Sequence, residues 1–176
     1  MRKKERERLK DFQRGEDGHY VYAGDHVRLV GADRRRLLAV LWGSCGVALL
    51  ASAVAGVANP GGLSGCPYVV MPYMCQLVAL VSVVWGLGRL TVALRDAAGG
   101  RVRAYVRDET AGALPLRSAI AIGCALVAAV GEVVFLATGG TAVAPAEIAL
   151  LACEVVVVVA LVALRAAVRT AEWEGA

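Results

Sequence analysis

Two glutamates and a glutamine are the residues of this chain best suited to chemistry, because all three stand in strongly apolar surroundings. Glu132 lies between glycine and two valines, Glu154 precedes a run of five valines, and Gln76 follows a cysteine. Two carboxyl groups brought together in such surroundings share a proton or bind a cation. We therefore expect a polar cluster of Glu132, Glu154 and Gln76 within an apolar region.

The same residues have a simpler interpretation as polar side chains that hold helices together. A protonated carboxyl group or an amide forms hydrogen bonds between helices where water is excluded. Glu147, the third acid of this region, falls in the first turn of a predicted helix, where the positive end of the helix dipole stabilises an acid. For Glu132 and Glu154 the functional and the structural interpretation both stay open.

The composition indicates that these acids lie in a lipid bilayer. Apolar residues make up 58% of the 176 positions, and the mean hydropathy is +0.61. Soluble domains hold about 45–50% apolar residues even when glycine is counted. The excess excludes a disordered chain and a nucleic-acid-binding module. We expect an integral membrane protein whose first partner is the bilayer itself and which binds no nucleic acid.

Four apolar stretches are long enough to cross a bilayer, which takes about 20 helical residues. They are Leu37–Ala58, Tyr68–Leu90, Leu116–Ala137 and Ala146–Leu164. The sequence therefore predicts an all-α integral membrane protein built as a four-transmembrane-helix bundle. The predicted membrane domain covers residues 37–168 with a loop at 91–115, between an N-terminal arm of residues 1–36 and a tail of residues 169–176.

The charges predict the orientation of this bundle. All 19 Lys and Arg residues fall in three segments, with 11 in 1–36, 6 in 89–117 and 2 in 165–176. The two other connections, 59–67 and 138–145, carry no charged residue. Since basic residues accumulate on the cytoplasmic side, we expect a multi-pass protein of the cell membrane with both termini in the cytoplasm.

The N-terminal arm divides into two predicted elements. The mixed-charge run Arg2–Arg14 indicates a short solvated helix. After it, His19–Ala23 and His26–Val30 alternate polar and apolar residues around Gly24 and Asp25, which predicts a β-hairpin with a two-residue turn. An isolated hairpin is marginal in water, so its apolar face is expected to rest on the middle loop or on lipid headgroups.

Two other interpretations concern the polar side of this arm. His19 and His26 would share one face of the hairpin, either as a small metal-binding or pH-sensing pair or as exposed polar residues. The basic side chains of the arm would also attract anionic lipid headgroups at the cytoplasmic face, although interspersed acids weaken this attraction.

The middle loop is expected to form a short helix at the membrane surface. Val102 and Val106 stand four residues apart, as do Arg103 and Arg107, so residues 101–107 would turn valines to the membrane and arginines to the headgroups. Pro115 suits the first turn of the third span.

Small residues indicate where the helices pack. Ser44, Ala48, Ser52 and Gly56 follow one another at intervals of four along the first span. Such a stripe lets two helix backbones approach closely. We interpret it as a contact inside the bundle, with a homo-oligomer or another membrane protein as the alternative partner.

An internal repeat is a further hypothesis. Gly61 and Gly62, Pro67, and Cys75 with Gln76 are each followed 78 residues later by a matching or similar residue, ending with Cys153 and Glu154. Two spans per unit would relate the halves by an axis along the membrane normal. A chain so rich in Ala, Val and Gly also produces such matches by chance.

No motif of enzyme chemistry stands out. The five cysteines include no C-x-x-C pair, and we find no phosphate-binding loop, activated nucleophile or metal-ligand spacing. We therefore expect neither an enzyme nor a cofactor. The sequence favours an accessory or structural membrane component acting through helix contacts. The alternative is a small proton- or cation-coupled transporter that uses Glu132 and Glu154.

Overall fold

The described part of the chain contains six helices, four of them long. The computed structural model describes residues 12–14, 19–22, 24–31, 33–97, 100–139 and 144–175. In chain order the helices are α1 (Arg34–Ala58), α2 (Gly61–Gly65), α3 (Pro67–Asp96), α4 (Ala104–Glu109), α5 (Leu114–Thr138) and α6 (Pro145–Arg169). Helices α1, α3, α5 and α6 are each long and apolar enough to cross a membrane.

The long helices begin where the sequence provides a start signal. The Asp33 side chain accepts a hydrogen bond of 3.0 Å from the Arg35 amide and caps α1. Pro67, Pro115 and Pro145 each occupy the first turn of their helix, where a proline costs no hydrogen bond. Local chemistry therefore defines these helix starts.

The helices extend beyond the apolar stretches. Helix α3 continues to Asp96 rather than Leu90, and α6 continues to Arg169 rather than Leu164. A helix keeps its backbone hydrogen bonds after it leaves an apolar environment, and long basic side chains reach water from its last turns. Hydropathy thus marks the part of each helix suited to lipid and not its full length.

The four long helices form two close pairs. Helix α1 packs mainly along α6, and α3 mainly along α5, while α5 and α6 join the pairs and α1 contacts α3 much less. In the predicted repeat, a shift of 78 residues places α1 on α5 and α3 on α6. The close pair α1–α6 then corresponds to the close pair α5–α3, and the contact α1–α3 corresponds to the contact α5–α6. The weak α1–α3 contact breaks this symmetry, and the repeat stays a prediction.

The residues of the core change along the bundle. At one end the buried side chains are mainly leucines, among them Leu41, Leu87, Leu114 and Leu164. The middle is built largely from alanines, including Ala48, Ala79, Ala121 and Ala125. Because alanine adds little bulk, such a layer allows helix backbones to approach one another.

Five short strands lie outside the long helices in the described part of the chain. They are β1 (Phe12–Arg14), β2 (Tyr20–Tyr22), β3 (His26–Val30), β4 (Arg101–Arg103) and β5 (Glu172–Gly175). Strand β3 lies between β4 and β5 and is antiparallel to both. The N-terminal arm, the middle loop and the C-terminal tail therefore meet at one end of the bundle, which we call the sheet end.

The predicted hairpin is wrong in its strand pairing. Strand β2 pairs with β1, and β3 pairs with β4 and β5 instead of with β2. In this arrangement β3 has a neighbour on both edges, whereas a hairpin would leave one edge unpaired. Val27 and Leu29 of β3 pack with buried Val102 against the leucine-rich core, so the apolar face does rest on the middle loop.

Two predicted helices also need correction, and with them the all-α class. Residues 12–14 of the expected N-terminal helix Arg2–Arg14 form strand β1, while residues 1–11 lie outside the described part of the chain. The expected helix at 101–107 begins only at Ala104, because Arg101–Arg103 pair with β3. The fold is a mostly helical bundle with a small three-stranded sheet at one end.

Candidate functional site

All three acids of the predicted membrane region are buried. Glu132 on α5 is 0% exposed, and Glu154 and Glu147 on α6 are 1% and 6% exposed. Gln76 on α3 is fully buried as well. The basic residues of the chain all lie in segments 1–36, 89–117 and 165–176, so those on α5 and α6 lie toward the ends of these helices that are remote from the acids. The acids are therefore buried without a basic partner among the described residues.

Glu132 and Glu147 meet at the end of the bundle opposite the sheet, which we call the acidic end. The two carboxyl groups are close enough to interact. Glu147 Oε1 accepts a 2.8 Å hydrogen bond from the amide of Gly61, the first residue of α2. The Glu132 carboxylate packs directly on Gly62, at a place where any side chain would overlap with it. Helix α2 thus closes over both acids.

Glu154 lies deeper in the bundle, beside Gln76. The amide of Gln76 is its polar neighbour and also donates a 3.1 Å hydrogen bond to Ser52 Oγ on α1. Tyr73 donates a 2.6 Å hydrogen bond to the carbonyl oxygen of Ser52. These hydrogen bonds connect α1 to α3, and Glu154 of α6 lies beside them.

The predicted cluster of Glu132, Glu154 and Gln76 is thus divided into two groups. The acid that interacts with Glu132 is Glu147, whereas Glu154 interacts with Gln76. Within the described residues, no hydrogen bond or charge interaction joins Glu132 to Glu154. Rise per residue places a side chain at a depth along a helix, but the direction in which it points depends on how the helices pack.

Several oxygen atoms of these groups lack a hydrogen bond. Both carboxyl oxygens of Glu132 and of Glu154 are buried with no donor among the described residues, as are Glu147 Oε2 and Gln76 Oε1. An ionised carboxylate without a partner is costly to bury. A bound proton or cation would remove that cost. These oxygen atoms are therefore the interior atoms best placed to bind a proton or a cation.

The small-residue stripe of α1 faces the interior of the bundle. Ala48 and Ser52 are buried, Ser44 is half-buried, and Ala48 contacts the alanine-rich middle layer. Gly56 is exposed, yet a side chain there would come within 2.8 Å of the Tyr73 hydroxyl. The contacts made by this stripe are therefore with α3 and α6 of the same chain.

The histidines and cysteines do not form a metal-binding group with the buried acids in the described part of the chain. Among the described residues, no three His, Cys, Asp or Glu side chains are arranged to hold a metal ion. The ring of His26 packs edge-on against Tyr22 at 5.3 Å, and His19 precedes β2 as an exposed residue. All five cysteines are unpaired, and Cys45 and Cys66 are buried.

Two cavities open at the sheet end, away from the acids. The larger, of about 820 Å³, follows one face of α3 beside Trp42. The smaller, of about 550 Å³, lies against the sheet near Arg28 and Arg101. None of the three buried acids lines either cavity. Around the acids the side chains instead pack closely, with Phe135 and Leu150 in the same cluster.

Three contributors to the site were not expected from the sequence. Glu147 was explained by the dipole of its own helix, yet its carboxylate accepts from Gly61 of α2. Tyr73 joins α3 to the α1 backbone, and Gly62 provides the surface on which Glu132 packs. In the sequence, the paired glycines Gly61 and Gly62 were the only indication of this contact, since glycines allow another side chain to lie directly against the backbone.

The interior polar groups therefore offer hydrogen bonds between helices and unpaired carboxyl oxygens. Either property is compatible with a membrane protein. No protein family, curated protein or solved structure matches the chain, so its function has to be argued from its own residues.

Proposed function

We propose that the protein is a non-enzymatic accessory or structural component of a membrane, which acts through lateral contacts of its helices. One observation supports this function: the interior polar groups are engaged with one another across helices. Ser52 of α1 is bound by Tyr73 and Gln76 of α3, and Glu147 of α6 is bound to Gly61 of α2. These groups hold the bundle together, which leaves its outer faces for partners.

The outer face of α1 is a suitable surface for another helix. Val47, Leu50 and Val54 are exposed there, and side chains built at Gly43 or Gly46 would meet no atom within 4 Å. Glycines on an outer face let a second transmembrane helix approach closely. The partner would be a second copy of the chain or another membrane protein.

The proposed orientation places the sheet end in the cytoplasm of the cell. The three segments that carry the basic residues all contribute to this end, through β3, β4 and β5. The positive-inside rule then assigns the acidic end to the opposite side.

If α1 binds a partner helix, filling its outer face should weaken the complex without harming the fold. We expect wild-type protein, extracted in mild detergent and cross-linked, to migrate as a species larger than its 18.3 kDa monomer. Changing Gly43 and Gly46 together to leucine should reduce that species about tenfold, which corresponds to a loss of about 1.4 kcal/mol of association free energy. Two measurements follow the size of the complex: cross-linking in the membrane before extraction, and native mass spectrometry after mild extraction.

The matched control is Gly123→Leu on α5, which is also exposed with no atom within 4 Å of an added Cβ. This variant should keep the complex. A protein that is monomeric in membranes and after mild extraction would contradict the accessory function.

The unpaired carboxyl oxygens favour one second candidate, a small proton- or cation-coupled transporter. Glu132 and Glu154 carry four buried oxygen atoms without a described hydrogen-bond donor, and each could exchange a proton or a cation. The close packing around them and the absence of either acid from the two described cavities favour the accessory function instead.

A flux assay in liposomes distinguishes the two functions. For the accessory function we expect proton and sodium flux equal to that of protein-free liposomes, and no effect of Glu132→Gln, Glu154→Gln or the double variant. A transporter would show flux that the double variant lowers about a hundredfold, since general acid–base groups contribute factors of this order. Glu172→Gln, which changes an exposed acid in β5, is the control. Flux that is lost in the Glu132 and Glu154 variants but kept in Glu172→Gln would overturn the accessory function.

A further inference from the structure

The cavity of about 820 Å³ at the sheet end has two chemically different parts. One part is an apolar strip along α3, which includes Val81, Trp85 and Val92, with Trp42 of α1 beside it. The other part is the rim formed by β4, where Arg101 and Arg103 line the cavity. A ligand that fills it must therefore be apolar along most of its length and charged at one end.

The apolar strip is long and open to the surroundings of the bundle. From Val81 to Asp96 the lining residues of α3 span roughly 23 Å at 1.5 Å per residue. Val81 and Trp85 are 66% and 67% exposed, and α1 contacts α3 too weakly to cover them. In a membrane such a strip faces acyl chains, and its length is close to that of one bilayer leaflet plus the headgroup region.

The rim is positively charged. Arg101 and Arg103 are exposed, and neither forms a salt bridge within the described residues. The guanidinium of Arg103 lies over the Tyr22 ring at 5.3 Å, which fixes it beside the cavity. Arg89 also lines the rim but is bound to Glu109 at 3.2 Å, and Asp96 is the one acid in the lining among the described residues. Positive charge therefore predominates where the headgroup of a lipid would lie.

We propose that this groove is a binding site for one anionic phospholipid. An acyl chain lies along the α3 strip, and the headgroup phosphate is held by Arg101 and Arg103. Guanidinium groups bind phosphate oxygens with strong, charge-assisted hydrogen bonds. Trp42 and Trp85 both line the groove, so their rings lie beside the bound lipid. The site requires only that the protein lies in a membrane and does not depend on the accessory function.

Tryptophan quenching by brominated lipids tests the site directly. The full chain carrying Trp173→Phe is reconstituted in phosphatidylcholine vesicles, so that only Trp42 and Trp85 emit. We expect a small fraction of brominated phosphatidylglycerol to quench this emission saturably, at a fraction where brominated phosphatidylcholine has little effect. Changing Arg101 and Arg103 together to glutamine should weaken the phosphatidylglycerol effect about 30-fold.

Two controls separate the groove from general attraction to a basic surface. Changing Arg35 and Arg36 to glutamine removes the same charge from exposed residues outside the groove and should leave quenching unchanged. Asp96→Asn should strengthen quenching by brominated phosphatidylglycerol, because it removes a negative charge from the groove. This change of opposite sign tests the site even if the Arg101/Arg103 variant does not fold. Equal quenching by both brominated lipids would overturn the proposal, as would equal losses in the Arg101/Arg103 and Arg35/Arg36 variants.

Discussion

Replacing Gly131 with alanine is expected to lower the free energy of unfolding by about 1–3 kcal/mol, the usual cost of forcing an extra group into a packed core. An added Cβ would lie 2.6 Å from the carbonyl oxygen of Tyr68 and 3.4 Å from Val69 Cγ2. The nearest atom belongs to the backbone of α3 and cannot rotate away. Helices α3 and α5 would have to move apart along their whole contact.

The proline of α3 explains why the two helices approach at this point. Residue 72 is a proline inside the helix, so it has no N–H to donate to the Tyr68 carbonyl four residues earlier. That carbonyl oxygen is left to face α5, where Gly131 offers a Cα–H and no side chain. A kink-forming residue on one helix and a glycine on the other therefore form a single contact.

Gly123→Ala on the same helix is the matched control. An added Cβ there meets no atom within 4 Å, so we expect stability to stay the same or rise slightly through the better helix propensity of alanine. Titration with a denaturing detergent, followed by circular dichroism, measures both variants. Equal stability of the two variants would show that α3 and α5 do not meet at Gly131.

The second large effect concerns the cover over the acids. Gly62→Ala should destabilise the protein by about 1–3 kcal/mol, because the new methyl group would overlap with Glu132 Oε2 at a site that is fully buried. The carboxylate would have to leave its place between α2 and Glu147. The same variant should therefore disturb the Glu147–Gly61 hydrogen bond of 2.8 Å.

A double-mutant cycle isolates this contact. In a Glu132→Ala background the overlap is gone, so Gly62→Ala should cost less than in the wild type, with a coupling energy of about 0.5–3 kcal/mol. Gly65→Ala, in the same short helix but with no atom within 4 Å of an added Cβ, is the control and should have little effect. An equal cost of Gly62→Ala in both backgrounds would mean that Glu132 does not pack on α2.

The helices and their starts were predictable because they depend on short stretches of chain. Hydropathy summed over about 20 residues marks a span wherever it falls, and Pro67, Pro115 and Pro145 mark helix starts without reference to the rest of the fold. The charge distribution further grouped the arm, the middle loop and the tail, and these three segments do meet in the sheet.

The site was predictable only in part. Hydropathy and charge singled out Glu132, Glu154 and Gln76 as polar residues in an apolar region, and all three are buried. The partner of Glu132 was not predictable, since Glu147 reaches it only after the chain returns between α5 and α6. Nothing local to Gly61 indicates that its amide binds a carboxylate on a helix that begins far along the chain.

By itself, then, the sequence determined which segments are apolar helices and which charged segments belong together, because hydropathy and charge are properties of individual stretches. The tertiary structure alone decided that His26–Val30 pairs with β4 and β5, that Glu132 lies beside Glu147, and that Gln76 binds Ser52 next to Glu154. These contacts depend on how each helix is rotated about its axis and which helices are neighbours. Packing of the whole bundle sets both, and no single stretch of the chain encodes them.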